Sequence, residues 1–588
     1  MNTLIMQERT NYQPRQISSK AILLALSILS VHLGEVAAQN QLLLPDTVSG
    51  GVIDLELGTG TMPFLLGPLT QTMGVNGPLL GPTIILQQGQ TVTMNVSNQL
   101  GEPSTIHWHG MHVPPEADGG PHTPIAAGDT WSPSFAVLER ASTHWYHPHL
   151  HMHTNEQVVK GIAGLIIVRD PLESALALPR TYGVDDIPLV LQTKQFDANN
   201  QVVVGDALDT HVLVNGTLDP FVDVPGQVVR LRLLNGASER VLNLGLTGNH
   251  AFHQIGTDGG LLAAPVQLTR LRLAPGERAE VLVDLSALQG QSIELVSFAS
   301  ELPSAIYGAA QPGMGAGQTI PNYTLNPLNG NDFSLLQINV GPPTPNPITS
   351  IPGTLAVLTP WAEASANTTR TFTFTPVNMG PTAIQGPFLI NGASFDMMNI
   401  NFDVPLDNIE VWELTNQSPI AHPFHIHDVQ FYILDINGAT PPPNMQGRKD
   451  VVLVPAGIGT VRFITRFEDY SSYDMPYMYH CHMLPHEDDG MMGHFRVLPQ
   501  DAGILDGTVP NGLMQVLPNP ASTFLDLNLD PSLGLGEITI TDLTGRVVMM
   551  RNDVSGFLRL DVQHYPLGSY LINFRGASGT STVRFMRS

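Results

Sequence analysis

Apolar and polar residues alternate along much of the chain, in short runs bounded by glycine, proline and asparagine. Residues 89–98 (GQTVTMNVSN) and 226–235 (GQVVRLRLLN) both begin at a glycine and reach an asparagine nine residues later, with apolar side chains at alternate positions between them. Residues 407–416 repeat the spacing, although Glu410 breaks the alternation. A period of two is typical of a strand with one buried face. Three copies of one long unit predict three similar Greek-key β-sandwiches.

The turn-forming segments between these strands set the predicted domain limits. One boundary lies near residue 175 and another near residue 345, inside the proline-rich segment 342–347 (PPTPNP). Short alternating runs continue after a glycine- and proline-bearing linker and predict a separate, small C-terminal β-sandwich. The predicted domains cover residues 40–172, 178–342, 348–500 and 511–588.

Composition supports an all-β fold. The chain has 55 glycines and 48 prolines, and only 13% of its residues are charged. It is therefore rich in turn formers and poor in the Glu, Lys and Arg that cover exposed helix faces. Lys and Arg total 26 against 51 Asp and Glu, a formal net charge of −25. This charge argues against nucleic acid and against an anionic membrane surface as partners.

The first residues predict export from the cytoplasm. Residues 21–31 (AILLALSILSV) form an apolar run that is too short to span a bilayer, preceded by Arg15 and Lys20 and followed by residues 36–39 (VAAQ). This pattern indicates a secretory signal peptide over residues 1–38, cleaved after Ala38. A buried helix or a membrane anchor is the alternative. Later apolar runs fall short of the ~18 residues of a membrane helix, so stable membrane insertion is not expected.

Histidines are the most informative residues. Six His-x-His pairs occur among 21 histidines, where chance predicts fewer than about one, and such bias indicates metal binding. Residues i and i+2 of a strand share a face, so each pair projects two imidazoles the same way, about 6.6 to 7 Å apart. Eight imidazoles exceed what one metal ion can bind, which predicts several ions. The four pairs are His107/His109, His147/His149, His425/His427 and His480/His482.

The single cysteine, Cys481, lies between His480 and His482. Because side chains alternate along a strand, Cys481 points away from both imidazoles, so a metal bound to its thiolate is joined to the histidine cluster by a few covalent bonds. This arrangement predicts an electron conduit. Spacing gives the other candidate ligands as His422, His486 and Met491. Two histidines, a cysteine and a weak axial methionine are the ligands of a blue-copper electron-transfer site, whereas zinc offers no redox chemistry.

With these motifs in order, residues 40–500 resemble a three-domain multicopper oxidase of the bacterial laccase, bilirubin oxidase and cuprous oxidase branch. The motifs are HWHG from His107, HPHLHMH from His147, HPFHIH from His422, and HCHMLPHEDDGM from His480, the last being the most specific. The resemblance implies three cupredoxin-like domains that hold four copper ions, one type 1, one type 2 and two type 3. The implied ligands are His422, Cys481, His486 and Met491 for type 1, His107 and His425 for type 2, and His109, His147, His149, His427, His480 and His482 for type 3.

Asp118 and Glu487 match the proton-donating carboxylates of the family. Without the resemblance, Asp118 before two glycines is a turn residue, and Glu487 belongs to an acidic solvated loop. Met492 competes with Met491 for the axial position, and spacing favours Met491. The remaining histidines of these regions are interpreted as structural or surface residues, because the ligand count is complete without them: His112, His122, His144, His151 and His153.

The resemblance implies an oxidase that takes electrons one at a time from a reducing substrate, through Cys481, and reduces dioxygen to two waters. Residues 416–421 (NQSPIA) lack the acidic residue of cuprous oxidases, and no methionine-rich insert is present. Phenols and aromatic amines are therefore the expected donors, with Cu(I) or Mn(II) as the alternative. A copper nitrite reductase would need neither a third domain nor eight cluster imidazoles. A non-enzymatic copper-binding surface protein is the remaining alternative.

The C-terminal residues resemble the sorting domain of the type IX secretion system of Gram-negative bacteria. The matching segments are residues 517–521 (LPNPA), 540–546 (ITDLTGR) and 567–571 (LGSYL), followed by a basic strand through Arg584. The resemblance implies that the type IX machinery is a partner and that the protein is secreted or held at the cell surface. An accessory module for sugar binding or adhesion is the alternative.

Overall fold

A computed structural model describes residues 39–204, 209–315, 317–378, 380, 383–499, 514–542, 545–576 and 579–587. They form two compact units, one within residues 1–500 and one within residues 501–588. Within the described ranges no helix is both long enough and apolar enough to cross a membrane. The predicted signal peptide, residues 1–38, lies outside the described residues.

The first sandwich packs two sheets, with strand orders β2-β5-β11-β10-β7 and β4-β3-β6-β8, and β9 also pairs with β6. Val92, Met94 and Val96 of β6 point inward and are fully buried, as their alternation predicts. The elements are β1 (Asn40–Gln41), β2 (Thr47–Ser49), β3 (Val52–Met62), β4 (Thr70–Val75), β5 (Thr83–Gln87), β6 (Thr91–Asn98), β7 (His107–His109), β8 (Thr130–Trp131), β9 (Ser134–Ala136), β10 (Ser142–His147), α1 (Thr154–Lys160), β11 (Gly164–Arg169) and α2 (Pro171–Ser174).

The second sandwich packs sheet β1-β16-β24-β23-β18-β21 against sheet β15-β14-β12-β17-β22-β19-β20, and β13 pairs with β12. Strand β1 joins this sandwich, because Asn40 and Gln41 pair in parallel with Pro220 and Phe221. The strands are β12 (Asp186–Phe196), β13 (Val202–Val203), β14 (His211–Val214), β15 (Thr217–Leu218), β16 (Pro220–Pro225), β17 (Val228–Asn235), β18 (Leu242–Leu246), β19 (Phe252–Thr257), β20 (Gly260–Leu268), β21 (Leu271–Leu273), β22 (Arg278–Asp284), β23 (Ser292–Ser297) and β24 (Phe333–Gly341).

The third sandwich packs sheet β26-β25-β28-β32-β30 against sheet β27-β34-β33-β29-β31. Its core is rich in aromatic side chains, including Phe372, Trp412 and Phe424, and it encloses Cys481. The elements are β25 (Thr368–Pro376), β26 (Phe388–Ile390), β27 (Phe402–Pro405), β28 (Ile409–Asn416), β29 (His422–Ile426), β30 (Phe431–Ile436), β31 (Val451–Val454), β32 (Gly459–Arg466), β33 (Tyr477–Cys481), α3 (Leu484–Asp488) and β34 (Met492–Leu498).

The C-terminal unit is a small β-sandwich with its own core, which includes Leu525, Ile540 and Ile572. Its sheets have the orders β35-β36-β39 and β38-β37-β40-β41. The strands are β35 (Met514–Leu517), β36 (Phe524–Leu529), β37 (Gly536–Asp542), β38 (Val547–Val554), β39 (Phe557–Asp561), β40 (Gly568–Gly576) and β41 (Gly579–Arg587). Short 3-10 helices in the chain cover Pro115–Ala117, Thr247–Asn249, Ser286–Leu288, Ala299–Glu301, Tyr323–Leu325, Glu363–Ser365, Pro443–Met445 and Pro531–Leu533.

This architecture confirms the all-β fold of three sandwiches and a small C-terminal one. The domain limits at residues 172, 178, 342 and 348 stay a prediction. The three repeat strands are equivalent, because each pairs in parallel with an earlier strand of its own sandwich: β6 with β3, β17 with β12, and β28 with β25. The broken alternation in the third copy also has a physical reason. Glu410 is buried but bonds to the Arg370 guanidinium and the Trp412 indole N–H.

The asparagine that ends each repeat is a structural residue. Asn98, Asn235 and Asn416 are fully buried. In each case the side-chain amide donates to two backbone carbonyls, and its oxygen accepts the amide N–H two residues later. Asn is suited to this because its side chain both donates and accepts hydrogen bonds. Each repeat therefore ends in the same kind of turn, which the asparagine side chain holds by three hydrogen bonds, and the turn occurs once in each of the three sandwiches.

Asn235→Ala should destabilise the second sandwich. It leaves the carbonyls of Arg240 and Leu273 without the side-chain donor, and each unpaired buried group costs about 1–3 kcal/mol. Thermal unfolding by calorimetry should show a lower melting temperature. Asn199→Ala, at an exposed position, is the control. Equal melting temperatures for the two variants would contradict the role of the repeat asparagine.

Candidate metal centre

Two strand pairs, one from the first sandwich and one from the third, carry the paired histidines. Strands β7 and β10 are antiparallel neighbours, with His107 opposite His147. Strands β29 and β33 are likewise paired, with His425 opposite His480. All eight imidazoles are buried. Rings from the two sandwiches stack directly, because the His107 and His427 centroids lie 3.7 Å apart and those of His109 and His425 also lie 3.7 Å apart.

The imidazoles fall into groups whose nitrogen atoms lie within 4.8 Å of one another. His109, His147 and His482 form one group, and His149, His427 and His480 form another. His107 and His425 meet in a third group, together with His427. The structure thus brings together all eight histidines of the four predicted pairs.

The group of His149, His427 and His480 is arranged for a cation. The Nε2 atom of His480 lies 3.1 Å from Nε2 of His149 and 3.3 Å from Nε2 of His427. On the opposite side, His427 donates its Nδ1–H to Asp118 at 2.8 Å, and Nδ1 of His149 lies 3.4 Å from Glu487. Nδ1 of His480 lies 3.1 Å from the Cys481 carbonyl oxygen and 3.1 Å from Glu487. A carboxylate on Nδ1 fixes the tautomer and leaves the Nε2 lone pair for a metal. Three such lone pairs converge here.

His107 and His425 provide a direct test of fit. Each donates its Nδ1–H to a backbone carbonyl, of Asp118 and of Asp450 respectively. Each Nε2 atom is buried without a hydrogen-bond partner, and both nitrogens of His482 are in the same state. Buried polar atoms are normally partnered. Unpartnered, neutral imidazole nitrogens that face one another are what a copper site requires.

Burial favours the uncharged form of His149, His425 and His482. It lowers the pKa of His149 to about 4 and the pKa of His482 to about 3, and it holds the pKa of His425 well below its usual range. Burial alone would raise the pKa of Glu487, but His149 and His480 outweigh it and hold that pKa below its usual range. Neutral imidazoles beside an ionised carboxylate favour a bound cation.

A second, separate site surrounds the cysteine in the third sandwich. The Cys481 sulfur lies 3.5 Å from Nδ1 of His422 and 3.7 Å from Nδ1 of His486. The far nitrogen of His422 is hydrogen-bonded to the Ser418 hydroxyl at 2.7 Å, which leaves Nδ1 for a metal. Burial raises the pKa of Cys481 well above its usual range, so its thiolate form depends on a bound cation.

Strand register distinguishes the two candidate methionines. Met492 lies opposite His480 on the neighbouring strand, and directly opposite residues share a face of the sheet. Met492 is therefore on the side of the imidazole cluster. Met491 is fully buried in the aromatic core that contains Cys481, and its carbonyl accepts the Cys481 amide N–H at 3.0 Å. This arrangement favours Met491 as the partner of Cys481.

The five histidines that the sequence analysis interprets as structural or surface residues lie outside these groups. The His144 ring is hydrogen-bonded to the Ser142 hydroxyl, and the His122 ring is hydrogen-bonded to the His494 ring. His112 lies between the carboxylates of Asp428 and Asp469. His151 is half-buried and His153 is exposed. Sequence reasoning missed two residues of the centre, Ser418 and Asp450. Ser418 lies four residues before His422, which is a usable signal, whereas Asp450 follows no local pattern that would indicate its contact with His109.

A cavity of about 490 Å³ lies between the second and third sandwiches and extends to Ala421, the residue before His422. Its walls are mostly apolar and include Leu271, Ile306 and Leu453. Two methionines, Met314 and Met445, also line it. The volume is that of a pocket for a small organic molecule.

Family comparisons decide what this centre is. Multicopper oxidase models match residues 56–173, 188–292 and 361–501. The chain belongs to the multicopper oxidase family. This multicopper oxidase is therefore a copper-dependent oxidoreductase, as the sequence predicts. Residues 515–587 match a secretion system C-terminal sorting domain, which confirms the resemblance of the C-terminal unit.

Similar proteins are described with several different functions. The chain is 33% identical to a multicopper oxidase of Staphylococcus haemolyticus, over 75% of this chain and 88% of that one, and 33% identical to the cell division protein FtsP of Sodalis glossinidius, over the same shares. A laccase-like oxidase from Ochrobactrum, described as active towards lignin model compounds, is 34% identical with a TM-score of 0.68, covering 78% of this chain and 100% of that one. A metallo-oxidase from Campylobacter jejuni is 28% identical with a TM-score of 0.65, covering 79% and 96%.

Met491→Leu in this multicopper oxidase should raise the reduction potential of the copper beside Cys481 without loss of that copper. Leucine fills similar space but removes the thioether that the sequence predicts as the weak axial ligand, and loss of such a ligand raises the potential. Redox titration of the blue absorption band measures the shift. Met492→Leu is the matched control and should leave the potential near that of the wild type. The reverse result would identify Met492 as the axial ligand.

Proposed function

We propose that the protein is a secreted four-copper oxidase that couples four one-electron oxidations of a small organic donor to the reduction of dioxygen to two waters. The observation that carries the proposal is the convergence of eight buried imidazoles in groups of three, beside a separate site at Cys481. The Nε2 atoms of His107, His425 and His482 are buried there without a hydrogen-bond partner. When bound, the copper ions supply the one-electron redox chemistry and the dioxygen reduction. Family membership supports copper, and the count of four is part of the proposal.

The proposed ligand sets follow the groups in space. His422, Cys481, His486 and Met491 hold the type 1 copper. His107 and His425 hold the type 2 copper. One type 3 copper is held by His109, His147 and His482, and the other by His149, His427 and His480. The two type 3 sets are the two groups of three histidines whose nitrogen atoms converge. The type 2 set is the pair of histidines whose Nε2 atoms are buried without a hydrogen-bond partner and which meet in the third group.

Cys481 is the proposed electron carrier between the two sites. It lies on strand β33 directly between His480 and His482, and its sulfur faces His422 and His486 rather than the cluster. Each flanking histidine belongs to a different proposed type 3 set. The covalent path from one sulfur therefore divides towards both ions of the pair.

Asp118 and Glu487 are the proposed proton carriers. Asp118 lies beside His107 and His427, and Glu487 lies beside His149 and His480. Both carboxylates are almost fully buried. A carboxylate so placed can accept and release a proton at its oxygen atoms within reach of the cluster, which dioxygen reduction requires. Neither residue needs to bind copper to act in this way.

The cavity beside His422 supports a small organic donor. Apolar walls suit phenols and aromatic amines, and the Ochrobactrum neighbour is described as acting on lignin model compounds. The alternative donor is Cu(I) or Mn(II). Met314 and Met445 in the cavity wall offer soft thioethers that suit Cu(I), and the Campylobacter neighbour is described as a metallo-oxidase.

Oxygen uptake by the copper-loaded protein tests the function. A phenol, an aromatic amine, Cu(I) and Mn(II) should be offered in parallel, and we expect the organic donors to be consumed fastest. Cys481→Ser is the control, because it removes the thiolate but none of the eight cluster imidazoles; it should lose the blue band and turnover while retaining cluster copper. Faster uptake with a metal ion would favour the alternative donor. Turnover by Cys481→Ser would refute the electron path.

We also propose export by the signal peptide over residues 1–38 and passage through the type IX machinery of a Gram-negative bacterium by means of the C-terminal domain. The match to a sorting domain supports secretion or a surface location. The C-terminal unit has its own core, and none of the proposed ligands lies in it. Its task is therefore separable from catalysis.

Deleting residues 511–588 should leave an active oxidase in a host without the type IX system. The remaining compact unit contains every proposed ligand. In a host with that system, the truncated enzyme should collect in the periplasm, which fractionation and activity staining measure. Loss of copper in both hosts would make the C-terminal domain part of the oxidase. Normal export of the truncated enzyme would refute the sorting role.

A further inference from the structure

The second sandwich contributes no histidine to the imidazole groups, yet one of its loops forms a wall of the cluster. The loop covers residues 274–277 (APGE) and leads into strand β22, which begins at Arg278. Gly276 lies against the His482 ring, since a Cβ atom at Gly276 would lie 2.9 Å from it. Two residues later, Arg278 reaches Asp450 of the third sandwich. This contact connects a domain without ligands to the metal centre.

Asp450 touches two of the proposed copper ligands at once. Its carboxylate oxygen Oδ1 lies 3.1 Å from Nε2 of His109, which donates to it. Its backbone carbonyl accepts the Nδ1–H of His425 at 2.8 Å. The nitrogens left over are Nδ1 of His109, which lies 3.4 Å from Nε2 of His147, and the unpartnered Nε2 of His425. Asp450 thus determines which nitrogen each of the two imidazoles presents to the cluster.

Arg278 holds the Asp450 carboxylate with two of its five N–H groups and donates the other three to backbone carbonyls. Its two terminal nitrogens each donate to one carboxylate oxygen. The remaining donors reach the carbonyls of Thr143, Gly276 and Asp258. All five guanidinium N–H groups are therefore satisfied in a fully buried side chain. A planar, bidentate pair of this kind fixes the carboxylate plane, which a lysine cannot do.

The residue after His109 leaves space for this pair. A Cβ atom at Gly110 would lie 2.4 Å from Oδ2 of Asp450 and 2.6 Å from the guanidinium of Arg278. Gly110 also has a φ of +86°, a conformation that favours glycine. The glycine of the HWHG motif therefore permits the close approach of Arg278 and Asp450 to the first sandwich.

We propose that Arg278 and Asp450 form an interdomain clamp that positions His109 and His425 for copper, with Asp450 acting as a positioning residue and not as a ligand. The inference rests on the proposed ligand sets. Asp450 lies near enough to His109 and His425 to bind a metal ion with them, but both of its carboxylate oxygens are already held by Arg278. The oxygen nearer both histidines, Oδ1, accepts from Arg278 and from His109, so ligation through it would have to displace one of these two bonds.

Copper content and spectra of four variants test the clamp. Arg278→Met and Asp450→Ala should weaken copper retention in the cluster by about 10- to 100-fold, with loss of the type 3 near-ultraviolet band and of the type 2 electron paramagnetic resonance signal. The blue type 1 band should persist as an internal standard. Asp450→Asn keeps an oxygen that can accept from His109 but gives Arg278 only one acceptor, so it should lose cluster copper, although less than Asp450→Ala. Arg230→Met is the matched control, because Arg230 is equally buried and paired with Glu173 and Glu280 but touches no proposed ligand.

Each outcome has a distinct meaning. Wild-type protein that takes up no cluster copper would refute the proposed function itself. Full wild-type cluster copper in Arg278→Met would overturn the clamp and leave the proposed function intact. Equal copper losses in Arg278→Met and Arg230→Met would also overturn it, because they would show that loss of any buried arginine of this domain lowers copper retention by destabilising the fold. A loss in Asp450→Asn as large as in Asp450→Ala, together with full retention in Arg278→Met, would overturn the clamp and make Asp450 a ligand. If Arg278→Met does not fold, Arg278→Lys keeps the charge without the bidentate pair; it should lose part of the cluster copper, and wild-type retention would overturn the proposal.

Discussion

Burial of eight imidazoles in one space is the constraint on which the rest of the molecule depends. Nitrogen atoms without partners destabilise a folded interior, and the Nε2 atoms of His107 and His425 are of this kind. Half of the cluster histidines come from the first sandwich and half from the third. A bound metal ion would therefore offset the cost of burial and join the two sandwiches at the same point. On this view the interface and the metal centre are one energetic unit.

The carboxylates around the cluster extend this coupling, because each of them crosses the interface. Asp118 of the first sandwich contacts His427 of the third, and Glu487 of the third contacts His149 of the first. Asp450 of the third likewise contacts His109 of the first. These carboxylates can thus orient His109, His149 and His427 only when the opposite sandwich is docked. This reciprocity explains why the geometry of the centre depends on how well the whole unit packs.

Local pattern was sufficient for the fold class, the repeats and the histidine pairs, because period-two alternation and His-x-His spacing are properties of single strands. It failed where a contact joins distant parts of the chain. Strand β1 has two residues and no periodicity, so its pairing with the second sandwich could not be predicted. Glu410 breaks the period-two alternation because it pairs with Arg370, which lies 40 residues away in the chain. Asp450 and Arg278 are 172 residues apart and follow no motif, so only the fold reveals them.

The pairing of β1 has a consequence for the order of assembly. Asn40 and Gln41 pair with Pro220 and Phe221, about 180 residues later in the chain. The first sandwich can complete both of its sheets from its own strands while β1 still has no partner. During synthesis or translocation, the segment nearest the start of the described chain therefore docks only after the second sandwich has emerged. A label attached there would report completion of the second sandwich, not of the first.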